Sequence, residues 1–117
     1  DELPKLMCMT HTLVLPSRWE PFGMVLIEAM ACGLPLIGVD KGGVKELIEL
    51  KRAGLLARTG SPRSLARCML KLVRSEKLVR KLSKRNALLA KAYRPSRIAR
   101  LHHELYKGVL KKHRIRI

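Results

Sequence analysis

Aromatic residues are scarce in this sequence: one Trp, two Tyr and one Phe make up 3% of 117 residues. A core built from it must be aliphatic, and a base-stacking surface of interleaved aromatics is excluded. Cysteine is sparse too. Cys8, Cys32 and Cys68 are odd in number, include no C-x-x-C pair and sit among apolar neighbours. They read as buried free thiols in a reducing compartment rather than as a disulfide framework or a zinc site. His102 and His103 are sequence neighbours that diverge on a helix, so no metal is expected from them. No apolar run is long enough to span a bilayer. The longest, Met24 to Gly38, is interrupted by Glu28 and Pro35, and a span needs about 20 apolar residues. The opening Asp1-Glu2 lacks the basic-then-apolar pattern of a secretory leader, so a cytoplasmic location is expected. Acid is also short, with nine Asp and Glu against 25 Lys and Arg, for a net charge of +16.

Hydrophobic residues reach 47%, sufficient for one compact domain with a single core. Most of the basic residues lie after residue 50. Such a stripe suits an anionic membrane surface, nucleic acid or phosphorylated substrates, or is simply a solvated helical face. The chain divides into two parts of different periodicity. Residues 1–60 alternate short apolar runs with Gly and Pro, which predicts parallel strands alternating with helices. Residues 61–117 read as consecutive basic amphipathic helices.

Within the first part, Leu3 to Met9 reads as a short helix and Thr12 to Leu15 as a buried strand ended by Pro16. Met24 to Cys32 reads as a helix stopped by Gly33. Pro35 to Val39 is a second strand, Gly42-Gly43 a turn, Val44 to Leu50 a helix and Gly54 to Ala57 a third, weaker strand. Ser61 is a good N-cap with Pro62 at the first helical position, and Leu65, Cys68, Met69, Leu72 and Val73 follow at helical spacing. A second helix carries Leu78, Val79, Leu82 and Leu89, and a last one, from about Ser96, aligns Ile98, Leu101, Leu105 and Val109. Three parallel strands are fewer than an open sheet normally uses, so a partner is expected at the exposed edge: a further part of the protein or a second copy. The absence of an initiating Met fits an excised piece.

The stretch that carries chemistry runs from Pro16 to Pro35. A strand ends, a polar loop follows, Gly23 permits close backbone approach and a helix starts near Met24. Unpaired amides at such a helix start favour a phosphate at the carboxyl end of a parallel strand. Glu20 and Glu28 bracket the loop eight residues apart, and a carboxylate accepts two hydrogen bonds from vicinal hydroxyls. Glu28 stands in an otherwise apolar helix, which argues for a polar partner. That partner is either a ligand or a Lys or Arg from the helical part. Trp19 reads as a packing residue.

The ordered run Pro16-Ser17, Glu20-Pro21-Phe22-Gly23, Glu28-Ala29-Met30-Ala31-Cys32-Gly33, Pro35, then Gly42-Gly43 and Glu46, closely resembles the donor-binding signature of glycosyltransferase family 4. These are retaining enzymes of GT-B fold. The resemblance implies an α/β fold: the second half of a Rossmann-like C-terminal domain, about three parallel strands with flanking helices. It implies a nucleotide-diphosphate sugar as donor, with a hexose passed to a sugar, lipid or other acceptor. Glu20 would contact the transferred sugar together with the backbone at Phe22 and Gly23, without acting as a nucleophile. The amides of Met24 and Val25 would face the diphosphate, Glu28 the ribose hydroxyls, and Gly42 and Gly43 would shape the loop beside the sugar. No metal or other cofactor is implied, because positive charge and helix dipoles stabilise the leaving diphosphate. The Arg and Lys that grip the diphosphate, and the acceptor domain, are not in these residues, so the chain alone is expected to be inactive. His11-Thr12 departs from the Asp often found before the first strand. The alternative reading is a non-enzymatic basic module for an anionic membrane or nucleic acid, though no nucleic-acid recognition motif is present.

Overall fold

A computed structural model of the chain describes residues 2–21 and 23–112. Three short strands, β1 (Leu13–Leu15), β2 (Leu36–Val39) and β3 (Gly54–Ala57), form a parallel sheet in the order β1-β2-β3. Leu13 pairs with Leu36, and Leu36 with Gly54. β2 lies in the middle and is buried along its whole length, as its unbroken apolar run requires when both faces are covered.

The period-two alternation of the strands splits the interior into two cores. Leu13, Leu15, Leu36 and Leu56 pack with α2 (Met24–Ala31) and α3 (Gly42–Lys51). Val14, Ile37 and Leu55 pack on the other face with Leu65, Cys68 and Leu72 of α4 (Pro62–Val73) and Leu78, Val79 and Leu82 of α5 (Glu76–Ala90). α2 and α3 are successive crossovers that step the same way across the sheet, so one handedness sets both on one face. Gly33 follows α2 with a left-handed φ of 74° and ends it. Ser61 caps α4 as expected, its hydroxyl accepting from the Ser64 amide at 3.2 Å.

α5 joins the two cores. Its early residue Leu82 belongs to one and its last, Ala90, to the other. Between them the fully buried Asn86 donates through Nδ2 to the carbonyls of Leu34 (2.7 Å) and Ala53 (2.8 Å). Those carbonyls immediately precede β2 and β3, so α5 passes beneath the amino ends of the strands. α1 (Glu2–Cys8) adds Met7 to the α2–α3 core. After a 3-10 turn over Lys91–Tyr93, α6 (Pro95–Lys112) buries none of its residues, and the molecule measures 58 × 29 × 25 Å.

Several expectations are corrected. Gly42 and Gly43 open α3 instead of forming a separate turn. Cys8 is exposed and Cys68 half-buried, because α1 and α4 each rest on the body along one side only, and Cys32, at the end of α2, is also half-buried. Trp19 is 74% exposed, lying in a loop that crosses no core. Met69 and Val73 continue the apolar stripe of α4 past the edge of the sheet and stay exposed. Of the stripe on α6, Ile98 is half-buried and Leu101, Leu105 and Val109 stay exposed.

Candidate functional site

The loop after β1 is held by its own side chain. Glu20, half-buried, accepts at Oε1 from the Gly23 amide at 3.0 Å. Gly23 is the N-cap of α2 with φ 72° and ψ 63°, a left-handed conformation that other residues adopt only with strain. Gly23 also closes the first turn, its carbonyl accepting from the Leu26 amide at 2.8 Å. The Met24 and Val25 amides follow at the helix start. They have no acceptor among the described residues, and no acidic side chain stands in the first turn. Among the described residues nothing closes the positive pole of α2 at the carboxyl end of β1.

The β2–α3 loop meets this one. A Cβ on Gly42 would lie 2.9 Å from the Glu20 carbonyl oxygen, and φ at Gly42 is 63°, so only glycine fits. Gly43 is half-buried and lines, with Pro21, Glu46 and Tyr93, a cleft of about 170 Å³. The structure therefore brings Glu20, Gly23, Met24, Val25, Gly42 and Gly43 together at one end of the sheet. Phe22 lies outside the described residues.

Glu28 is one turn along α2, on its exposed side, with Leu26, Ile27, Ala29 and Met30 turned into the core. It makes no ion pair or hydrogen bond through its side chain among the described residues. The desolvation argument for a partner is thereby corrected: Glu28 stays in water, and its value to a site is that its carboxylate is uncommitted. No group of three or more potential metal ligands occurs among the described residues. Burial raises the Cys32 thiol above its ordinary value, with a hydrogen bond to Cys8 as the next cause, and Cys32 stands at the far, carboxyl end of α2.

An apolar groove of about 350 Å³ opens at the other end of β1, between His11 and Thr12 on one side and the exposed Met69 and Val73 with the half-buried Val79 on the other. In the His11-Thr12 neighbourhood, where the resemblance leads one to expect Asp, the Thr12 hydroxyl donates to the Pro35 carbonyl at 2.8 Å. No helix among the described residues is long and apolar enough to cross a membrane.

The family model for glycosyl transferases group 1 matches residues 1–88, from α1 through most of α5. The chain belongs to this glycosyltransferase family. Among similar proteins, N-acetyl-alpha-D-glucosaminyl L-malate synthase of Bacillus anthracis is 33% identical over 95% of this chain and 29% of its own length. Mannosylfructose-phosphate synthase of Agrobacterium fabrum is 36% identical over 79% of this chain and 20% of its own length. Sucrose-phosphate synthase from Thermosynechococcus elongatus superposes with a TM-score of 0.79 and 31% identity over 88% of this chain and 26% of that one. The α/β fold expected from the resemblance is thus found, and the chain spans between a fifth and a third of these relatives' length.

Sequence reasoning missed three features of this end of the molecule. One is the Asp40 carboxylate, which accepts from the Thr59 amide (2.7 Å) and hydroxyl (2.8 Å) and so ties the β3–α4 loop to the end of β2. Another is the basic cleft that this loop supports. The third is the exposure of Trp19, for which a lone aromatic in a polar loop was the available signal.

Proposed function

We propose that this part of a group 1 glycosyltransferase binds the nucleotide-diphosphate sugar of a retaining transfer. The observation that carries it is the open amino end of α2, entered through a left-handed Gly23 and flanked by the carboxylates of Glu20 and Glu28. In this reading the Met24 and Val25 amides donate to the diphosphate oxygens, where charge accumulates as the glycosidic bond breaks. Glu20 has one oxygen committed to Gly23 and offers the other to a sugar hydroxyl. Glu28 takes the ribose hydroxyls. Glu20 acts as a positioning group and not as a nucleophile, and no metal is invoked. The residues form an open ledge, so the rest of the pocket belongs to other parts of a longer polypeptide, and the chain alone is inactive. The free edge of β1 is where such a part, or a second copy, would pair.

Nuclear magnetic resonance titration with UDP- and GDP-sugars at millimolar concentration tests this. Amide shifts should centre on Gly23, Met24 and Val25, and Glu28→Ala should weaken nucleotide binding about tenfold, the worth of a charged hydrogen-bond pair. Shifts elsewhere with these amides silent would refute the site.

A second reading, that the basic helices also meet an anionic membrane surface, is favoured by α6. At 100° per residue Ile98, Leu101, Leu105 and Val109 share one stripe, and Arg100, Lys107 and Lys111 the opposite one.

A further inference from the structure

The loop between β3 and α4 gathers positive charge where a helix ordinarily carries acid. α4 has no acidic residue in its first turn. Arg63 stands there, Arg67 follows one turn on and Arg58 leaves β3. A cation at the positive pole of a helix is unfavourable, and like charges four apart on a helix add to the cost. These three arginines nonetheless line one cleft of about 260 Å³, whose other lining residues are Ser61 and Ser64. No carboxylate lines it, and none of the three makes an ion pair among the described residues.

The backbone beneath the cleft is pinned. The Thr59 amide and hydroxyl are held by Asp40, the Arg58 amide donates to Ser64 Oγ at 2.9 Å, and the Ser61 amide donates to the Arg58 carbonyl at 3.1 Å. Both serine oxygens already accept from backbone amides, so the hydroxyl protons of Ser61 and Ser64 are the uncommitted ones. The cleft thus presents three guanidinium groups and two hydroxyl donors, and nothing that repels an anion.

A second cleft of about 220 Å³ shares Arg58 and Ser61. Its floor is Val39, Ala57 and Leu65, at the carboxyl ends of β2 and β3, and Arg18 stands at its side.

We propose that Arg58, Arg63 and Arg67 bind a phosphate monoester or diphosphate group, with the organic body of the ligand seated over Val39, Ala57 and Leu65. Planar guanidinium groups grip phosphate oxygens in pairs, and a dianion relieves the repulsion among the three. The cleft is smaller than the ~300–1,000 Å³ of whole-ligand pockets, which fits an anionic head rather than a complete cofactor. It lies on the α4 side of the sheet, whereas Glu20 and Gly23 lie on the loop into α2 and Glu28 lies within α2. The inference does not depend on the donor reading.

Amide titration with inorganic phosphate, pyrophosphate and glycerol phosphate, at constant ionic strength, tests it. Saturable shifts over Arg58–Arg67 are expected, with affinity at least about tenfold weaker in R63Q/R67Q, as for loss of charge-assisted bonds. The exposed pair K107Q/K111Q should leave it unchanged. R58K keeps the charge and loses the fork, so it should also weaken binding while the remaining spectrum superposes on the parent's. Shifts that never saturate, that are equal in R63Q/R67Q and K107Q/K111Q, or that are confined to Gly23–Val25 would overturn the proposal. Vesicles containing phosphatidic acid separate the two sources of the group. Capture that pyrophosphate blocks and R63Q/R67Q loses assigns it to a lipid headgroup; saturable phosphate binding with capture unaffected by R63Q/R67Q assigns it to a small phosphorylated molecule. E28A should abolish neither, so the two sites fail separately.

Discussion

Asn86 shows how a single polar side chain organises the interior. Its two Nδ2 hydrogens satisfy the Leu34 and Ala53 carbonyls, while Oδ1 has no partner in the protein. Asn86→Ala strands both carbonyls and should cost about 2–4 kcal/mol in denaturant unfolding. Asn86→Asp presents an acceptor to two acceptors in a buried place and should cost more than alanine. A milder Asn86→Asp would show that the two contacts are not what Asn86 supplies. None of this was legible beforehand, because an Asn on a basic helix reads as surface. By contrast Gly23 and Gly33 were legible, since each sits where a helix must start or stop and both adopt positive φ.

At the scale of the element, the β3–α4 loop depends on one carboxylate. The Thr59 amide and then its hydroxyl, both donating to Asp40, hold that carboxyl below its ordinary 3.8. The native pKa is lower than the unfolded one, so the unfolded chain binds more protons between the two values. The contribution of Asp40 is therefore complete above about pH 4 and is lost as pH falls through the native value. Hydrogen exchange at the Thr59 amide should be protected and level from neutral pH to about pH 4, then lose protection below it. Asp40→Asn should remove that step; a step that persists in Asp40→Asn would assign it to another group. The helices and strands themselves were largely legible: the three strands, the first three helices and the starts of α4 and α6 fall within a residue or two of expectation. The start of α3 drifted at glycine: Gly42 and Gly43 stand at its first positions, Gly42 with a left-handed φ of 63° that lets the backbone pass close to the Glu20 carbonyl.

For the whole molecule the charge of +16 and the uncovered α6 belong together. A helix with one apolar stripe and one basic stripe lies in a lipid interface when anionic headgroups attract it, by about 1 kcal/mol per basic residue. Vesicles of phosphatidylserine should sediment the protein at low salt and release it at high salt, with phosphatidylcholine vesicles inert. Leu101→Asp with Leu105→Asp should abolish sedimentation. Equal binding to both lipids, or none to either, would leave the stripe as a face for protein.

The sequence by itself determined the class and order of the elements, the glycine-bounded loop between Glu20 and Glu28, and membership in a glycosyltransferase family. Those features are local: periodicity, capping and turn chemistry act over a few residues, and the signature is contiguous. Tertiary structure alone decided which residues of different elements meet. It placed Asn86 under two strands, Asp40 on Thr59, Gly42 on Glu20, and three arginines around one cleft. It also decided what stays uncovered, leaving Glu28 in water and α6 exposed along nearly its whole length. The physical reason is the same in each case. Burial and pairing across the sheet depend on where the chain returns, and amphipathic patterning states only that a face wants cover, not what supplies it.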